Sequence, residues 1–274
     1  MREDAFDFLR RDPLTYLPEI GLCRHEQKSR FLPPRAVNLR GGRTVWERLS
    51  DAGIPSVILR HPCTYPPSSF RGRLLAGIGV PDLRGGFGTT SFYSSDPQVM
   101  PGEGEQLLRV AVDESGCATV ELHGPILPQG DDLRLELGIQ VDADGRAILI
   151  RCSRGDFENR LEMGRWSPWV SVRFKHGPLQ SARGLVRFYL ASASPLALFA
   201  TPIHFDPHSP LFPISHPWDY AGALRRVLGP YATLGLAEAH AGLANGRFGE
   251  EAYLVQCLDV LQERRAMMRH ELER

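Results

Sequence analysis

The chain has 274 residues with 32 basic and 32 acidic side chains, and 42% of its residues are hydrophobic. That length can bury one large core or two ordinary ones, and the balanced charge argues against a nucleic-acid footprint. No apolar run reaches the ~20 residues of a membrane-spanning helix, and the opening MREDAFDFLRRD has no apolar segment of the kind that marks a secretory leader. Five cysteines are scattered without a CxxC spacing, which predicts free thiols in a reducing, cytoplasmic setting.

In chain order, residues 1–104 mix helix and strand signals. Thr44 is suited to cap a short helix through TVWERLSD, with Gly53 just past its end. The apolar run IPSVILRHP follows at once and predicts a buried strand, so this block reads as an α/β unit with a largely parallel sheet. Between 105 and 200 the period becomes two. LLRVAVD and CATVELHG around ESG predict one hairpin, and LRLELGIQV and RAILIRC around DADG predict a second. WVSVRFK and GLVRFYLAS add two more alternating segments, which makes the block mostly antiparallel.

Residues 201–217, TPIHFDPHSPLFPISHP, hold too much proline for regular structure and read as a connector. Residues 218–274 read as helical: WDYAGALRRVLG with a Gly-Pro stop, a short segment near 235–244, and a long final helix opening at Gly249, Glu250 and Glu251. The last helix has an apolar stripe at Leu254, Leu258, Leu261, Met268 and Leu272, interrupted by Arg265. The interruption favours packing on a domain over a coiled coil.

Candidate chemistry is sparse. His204, Asp206 and His208 alternate and, with His216 nearby, are of the types that ligate zinc, although Pro207 and Pro210 work against a strand that would align them. Asp142, Asp144 and Gly145 begin like a calcium loop, but Arg146 and Ser153 stand where oxygen ligands are needed, so a hairpin turn is expected. Gly85, Gly86 and Gly88 with Thr89 and Thr90 form a Gly-rich loop without a P-loop or dinucleotide spacing. It can cradle an anion on its amides or serve as a tight turn. His61 beside Cys63 lacks an orienting third group, Trp166 and Trp169 fit core packing better than a ligand platform, and Asp131 and Asp132 read as solvated turn residues.

The order VWERLSDAGIPSVILRHPCTYPP, GIGVPDLRGGFGTTSFYSSDP, GLVRFYL, TPIHFDPHSPLFPISHPWDYAGALRRVLGPYATLG and EEAYLVQCLDVLQERR resembles a bacterial branch of the type I phosphodiesterase/nucleotide pyrophosphatase family of the alkaline phosphatase superfamily. The likeness runs from about residue 6 to the end and is most specific over Gly77–Asp96 and Thr201–Gly235. It implies an α/β fold: a partial alkaline-phosphatase-like sheet with a large antiparallel β-rich accessory region and a C-terminal helical segment. Family members hydrolyse phosphate esters at two zinc ions that clamp the attacking and leaving oxygens. The likeness begins after the nucleophile segment and stops before the Asp-x-x-x-His and Asp-His ligand motifs, so no catalytic or metal residue carries over. It implies a portion of such a hydrolase, inactive alone, whose partner in a completed enzyme is a phosphate-ester small molecule. Asp82, Arg84 and Thr89 of PDLRGGFGT are the residues it places nearest substrate, with Arg84 able either to pair with a phosphate or to brace the loop through Asp82. The alternative is a non-catalytic binding module built on the β-rich region. An apolar face left bare where the catalytic half should pack would then drive self-association.

Overall fold

The computed structural model describes residues 9–11, 16, 18–20, 22–26, 35–127, 130–152, 157–176 and 180–274. The N-terminal residues 1–8, on which the leader question turns, and Ser153 lie outside them. Two antiparallel ladders come first: β1 (Leu9–Arg11) with β2 (Pro18–Ile20), and β3 (Cys23–Glu26) with β4 (Arg35–Asn38). The expected helix is α1 (Val45–Asp51). Thr44 and Glu47 close a reciprocal capping box at its start, and Gly53 takes φ +76° just past its end.

β5 (Ser56–Leu59) pairs in parallel with β6 (Gly72–Leu75), as the helix-then-strand order predicts. It is not buried through, however. It is the outer strand of its sheet, with Val57 exposed and Ser56, Ile58 and Leu59 half-buried. A short apolar run cannot distinguish a central strand from an outer one that a helix partly covers.

β7 (Thr90–Ser94) and β8 (Glu105–Arg109) also pair in parallel. This corrects the first predicted hairpin, because LLR joins β7 rather than CATVELHG. Only a tight turn from Asp113 to Cys117 remains of it. β9 (Cys117–Ile126), β10 (Asp132–Val141), β11 (Ala147–Cys152) and β12 (Glu158–Glu162) form an antiparallel sheet whose central β10–β11 hairpin is the second one expected. Gly145 supplies the positive φ that its turn requires. Gly124 in β9 is there for packing: a side-chain carbon would lie 2.4 Å from the ring of Phe174.

β13 (Val170–His176) and β14 (Gln180–Val186) pair antiparallel, and the chain breaks at Arg187 before β15 (Phe188–Ala193). β15, β16 (Leu196–Ala200), β7 and β8 make one sheet, so residues on both sides of position 104 share it. The proline-rich stretch contributes only β17 (His204–Phe205) on β14 and β18 (Ser215–His216) on β6. Then come α2 (Tyr220–Leu228), α3 (His240–Ala244) and α4 (Glu250–Leu272). The whole is a mixed α/β arrangement, mostly strand, closed by a helix. Its main core includes Leu75, Tyr93, Leu122, Leu137, Ile148, Phe174, Phe188 and Met267. Each such side chain contributes roughly 1.5–3 kcal/mol by leaving water.

A buried polar knot ties the early strands to the later loops. Arg60, half-buried, donates to the carbonyls of Ala76, Thr233 and Leu234. Glu263 of α4 accepts from Trp169 Nε1 at 2.7 Å and from the Ala232 N–H at 2.8 Å. Burial pushes the Glu263 carboxyl up.

The outward face of α4 is the largest departure from expectation. The predicted packing stripe points to solvent: Leu254, Leu258, Leu261 and Met268 are about half exposed and Leu272 is 79% exposed. The buried residues are Gln256, Val260 and Met267. Polar anchors select that face. Gln256 donates to the Ala237 carbonyl at 2.9 Å and accepts from the Ala239 N–H at 2.8 Å, Glu263 makes the bonds above, and the Ala252 carbonyl accepts from Trp166 Nε1 at 2.8 Å.

Candidate functional site

The Gly-rich loop between β6 and β7 is organised by its own aspartate. Asp82 is buried, and its carboxylate accepts four backbone N–H groups. Arg84 and Gly86 donate to Oδ1, each at 2.9 Å; Gly88 and Thr89 donate to Oδ2 at 3.2 and 3.1 Å. The Asp82 N–H donates to the Gly86 carbonyl, and the Gly85 N–H returns to the Asp82 carbonyl. Gly85 and Gly88 hold φ of +87° and +126°, values that side-chain-bearing residues resist. The amides that an external anion would need are therefore satisfied by an internal carboxylate. Of the two readings of this loop, the tight turn is the one realised.

The three residues singled out in this loop face three surroundings. Asp82 is interior. Arg84 turns toward the β9–β10 hairpin, where its Nη1 lies 3.6 Å from Asp132 Oδ2, and that nitrogen makes no hydrogen bond among the described residues. Its ion pair thus runs to Asp132, not to Asp82. Thr89 lines a cleft of about 510 Å³ with Phe87, Glu103, His240 and Asn245. The cleft's far wall is fixed by Asn245, which clasps the Glu103 backbone through both amide atoms, and by Arg247, which holds the Glu105 carboxylate in a two-pronged pair.

The group around Asp132 was not legible locally. Asp132 is partly buried rather than solvated. It accepts from His123 Nδ1 at 2.5 Å and from Arg134 Nε at 3.0 Å. Burial would raise its carboxyl, but the bonds from Arg134 and His123 outweigh burial and hold it below the usual range. His123 Nδ1 also lies 3.3 Å from Gln106 Nε2, so the ring is braced between β8 and Asp132. Only the strand register, which sets His123 opposite Arg134, reveals this group. A hairpin pairing of β9 with β10 would have been the signal to follow.

The zinc alternative does not assemble. His204 is fully buried, and its Nδ1 accepts from the Thr233 and Leu234 N–H groups at 3.1 and 3.2 Å. Its ring meets Trp169 edge-on, with centroids 4.8 Å apart. Burial, together with the cations of Arg60 and Arg187, holds the imidazole down to about 3, so it is neutral at ordinary pH. Asp206 pairs with Arg225 at 3.2 Å, His208 is exposed, and His216 Nε2 lies 3.0 Å from the Phe70 carbonyl. Among the described residues no three metal-ligating side chains converge.

The remaining candidates resolve as structure. His61 Nδ1 donates to the Pro62 carbonyl, and burial pushes the Cys63 thiol up, opposite to an activated nucleophile. Trp166 packs against Tyr189, Phe199 and Phe248. Asp142 closes the β10–β11 turn and pairs with Arg160. No helix among the described residues is long and apolar enough to cross a membrane. Comparisons with protein-family models, with curated proteins and with solved structures find no match.

Proposed function

We propose that this chain is a portion of a phosphodiesterase/nucleotide-pyrophosphatase-like hydrolase, shaping access for a phosphate-ester substrate and not itself carrying the reaction. One observation supports the reading. The two stretches with the most specific resemblance, more than a hundred residues apart, pack as one unit. The Leu83 N–H donates to the Ile203 carbonyl at 2.7 Å, and the Gly235 N–H donates to the Val80 carbonyl at 3.0 Å. A side-chain carbon at Gly88 would touch both Pro202 and Leu234.

The two zinc ions that such hydrolases use would supply Lewis acidity and a deprotonated nucleophile. The residues described here do not fit them. His204 spends Nδ1 on two amides, Asp206 on Arg225, and neither faces a common point with His208. What this chain offers is a rigid loop edge beside the cleft, with Thr89 and His240 on its walls.

The test is hydrolysis of bis(p-nitrophenyl) phosphate by the purified chain with added zinc or manganese. No turnover above background is expected. Turnover that follows the protein peak through two chromatographic steps would overturn the proposal. The apolar face of α4 favours a second reading, an interaction module, but places its surface on the C-terminal helix and not on the β-rich region.

A further inference from the structure

The exposed residues of α4 are spaced as a coiled-coil seam. Positions 254, 258, 261, 265, 268 and 272 are separated by four, three, four, three and four residues, the a/d repeat of a heptad. Five of the six are apolar, and all six side chains are exposed. Val255 flanks the seam and is 46% exposed. The seam runs about 27 Å along the helix. Its apolar side chains present on the order of 600 Å², the upper end of what a lone monomer shows.

We infer that α4 pairs antiparallel with α4 of a second copy of this chain. Charge selects both the occupant and the direction. The first turn carries exposed Glu250 and Glu251, and the last two turns carry exposed Arg265 and Arg269. None of the four has an ion-pair partner among the described residues. A parallel, in-register pair would set Arg265 against Arg265 within the seam, a like-charge contact between buried groups. An antiparallel pair that sets Leu258 level with the second copy's Leu261 brings Arg265 over Leu254 and within one turn of Glu251, twice by symmetry. Arg265, the residue that interrupts the stripe, then specifies orientation, as polar residues at core positions do.

Light scattering on the purified 274-residue chain tests this. A dimer of twice 30.6 kDa is expected. Leu258→Glu should give a folded monomer whose melting midpoint, unlike that of the wild type, does not depend on protein concentration, because Leu258 is half exposed within one copy. Arg265→Glu should weaken the dimer at least tenfold, and Glu251→Arg combined with Arg265→Glu should restore it. A wild-type monomer, or an oligomer indifferent to Leu258→Glu, would overturn the pairing and assign the face to another protein layer or to none. Failure of the double charge reversal to rescue would overturn the antiparallel direction. The pairing stands apart from the hydrolase reading, which only catalytic turnover would remove.

Discussion

The Asp82 loop and the outer face of α4 make opposite use of their sequences. The loop looks functional, with its glycines, threonine, arginine and aspartate, yet its backbone amides are answered from within and its arginine by Asp132. The helix looks like ordinary packing material, yet among the described residues its apolar seam is left about half exposed. A polar motif whose donors and acceptors pair with one another is a brace, and an amphipathic helix held by polar anchors on one side leaves its apolar side for a partner.

Four perturbations would break or sharpen that contrast. The largest effect is expected at Asp82. Asp82→Ala leaves four partly buried N–H groups without their acceptor and should lower stability by about 2–4 kcal/mol, with Asp82→Asn retaining part of it. Thermal or urea unfolding measures this, and a change below about 1 kcal/mol would mean the loop does not depend on its carboxylate. Leu258→Glu, the counterpart on the helix, should leave each copy folded and remove only the concentration-dependent part of that stability.

Acidification comes next. His204 holds its folded pKa near 3 against an ordinary value of 6.5. Between those values the unfolded chain binds a proton that the folded chain refuses, so stability falls as pH drops below ~6.5, by up to about 1.4 kcal/mol per unit. Glu263 acts in the other sense: burial raises its carboxyl, so its ionised form opposes folding as pH rises through the acid range. Comparing wild type with His204→Gln in urea at pH 7 and pH 5 isolates the histidine. Equal slopes in the two proteins would remove it as the cause. The smallest effect is at the cap of α1, where Thr44→Ala should cost about 1 kcal/mol by opening the capping box.

Much of the fold was legible because its signals are local. Thr44 before α1, the DADG turn, and Gly229 after α2 each specify geometry within a few residues. The parts that were not legible depend on remote partners. β8 chose β7 over the nearer β9, and β5 took an outer position. The face of α4 was misread because its hydrophobic signal points one way while Gln256 and Glu263 fix it the other way, through bonds to Ala237, Ala239, Ala232 and Trp169. In the candidate site, Asp82 and Thr89 stood out in the sequence. The pairing of Arg84 and His123 on Asp132 needed the hairpin register, which no local spacing carries.

The contrast rests on the loop being closed around its own carboxylate, and amide hydrogen exchange reads this directly. The account predicts that the N–H groups of Arg84, Gly86, Gly88 and Thr89 exchange as slowly as those of the neighbouring strand β7, despite lying in a glycine-rich loop. Exchange of those four amides at the rate of an open loop would show that Asp82 does not hold them, and would return the loop to candidacy as an anion cradle.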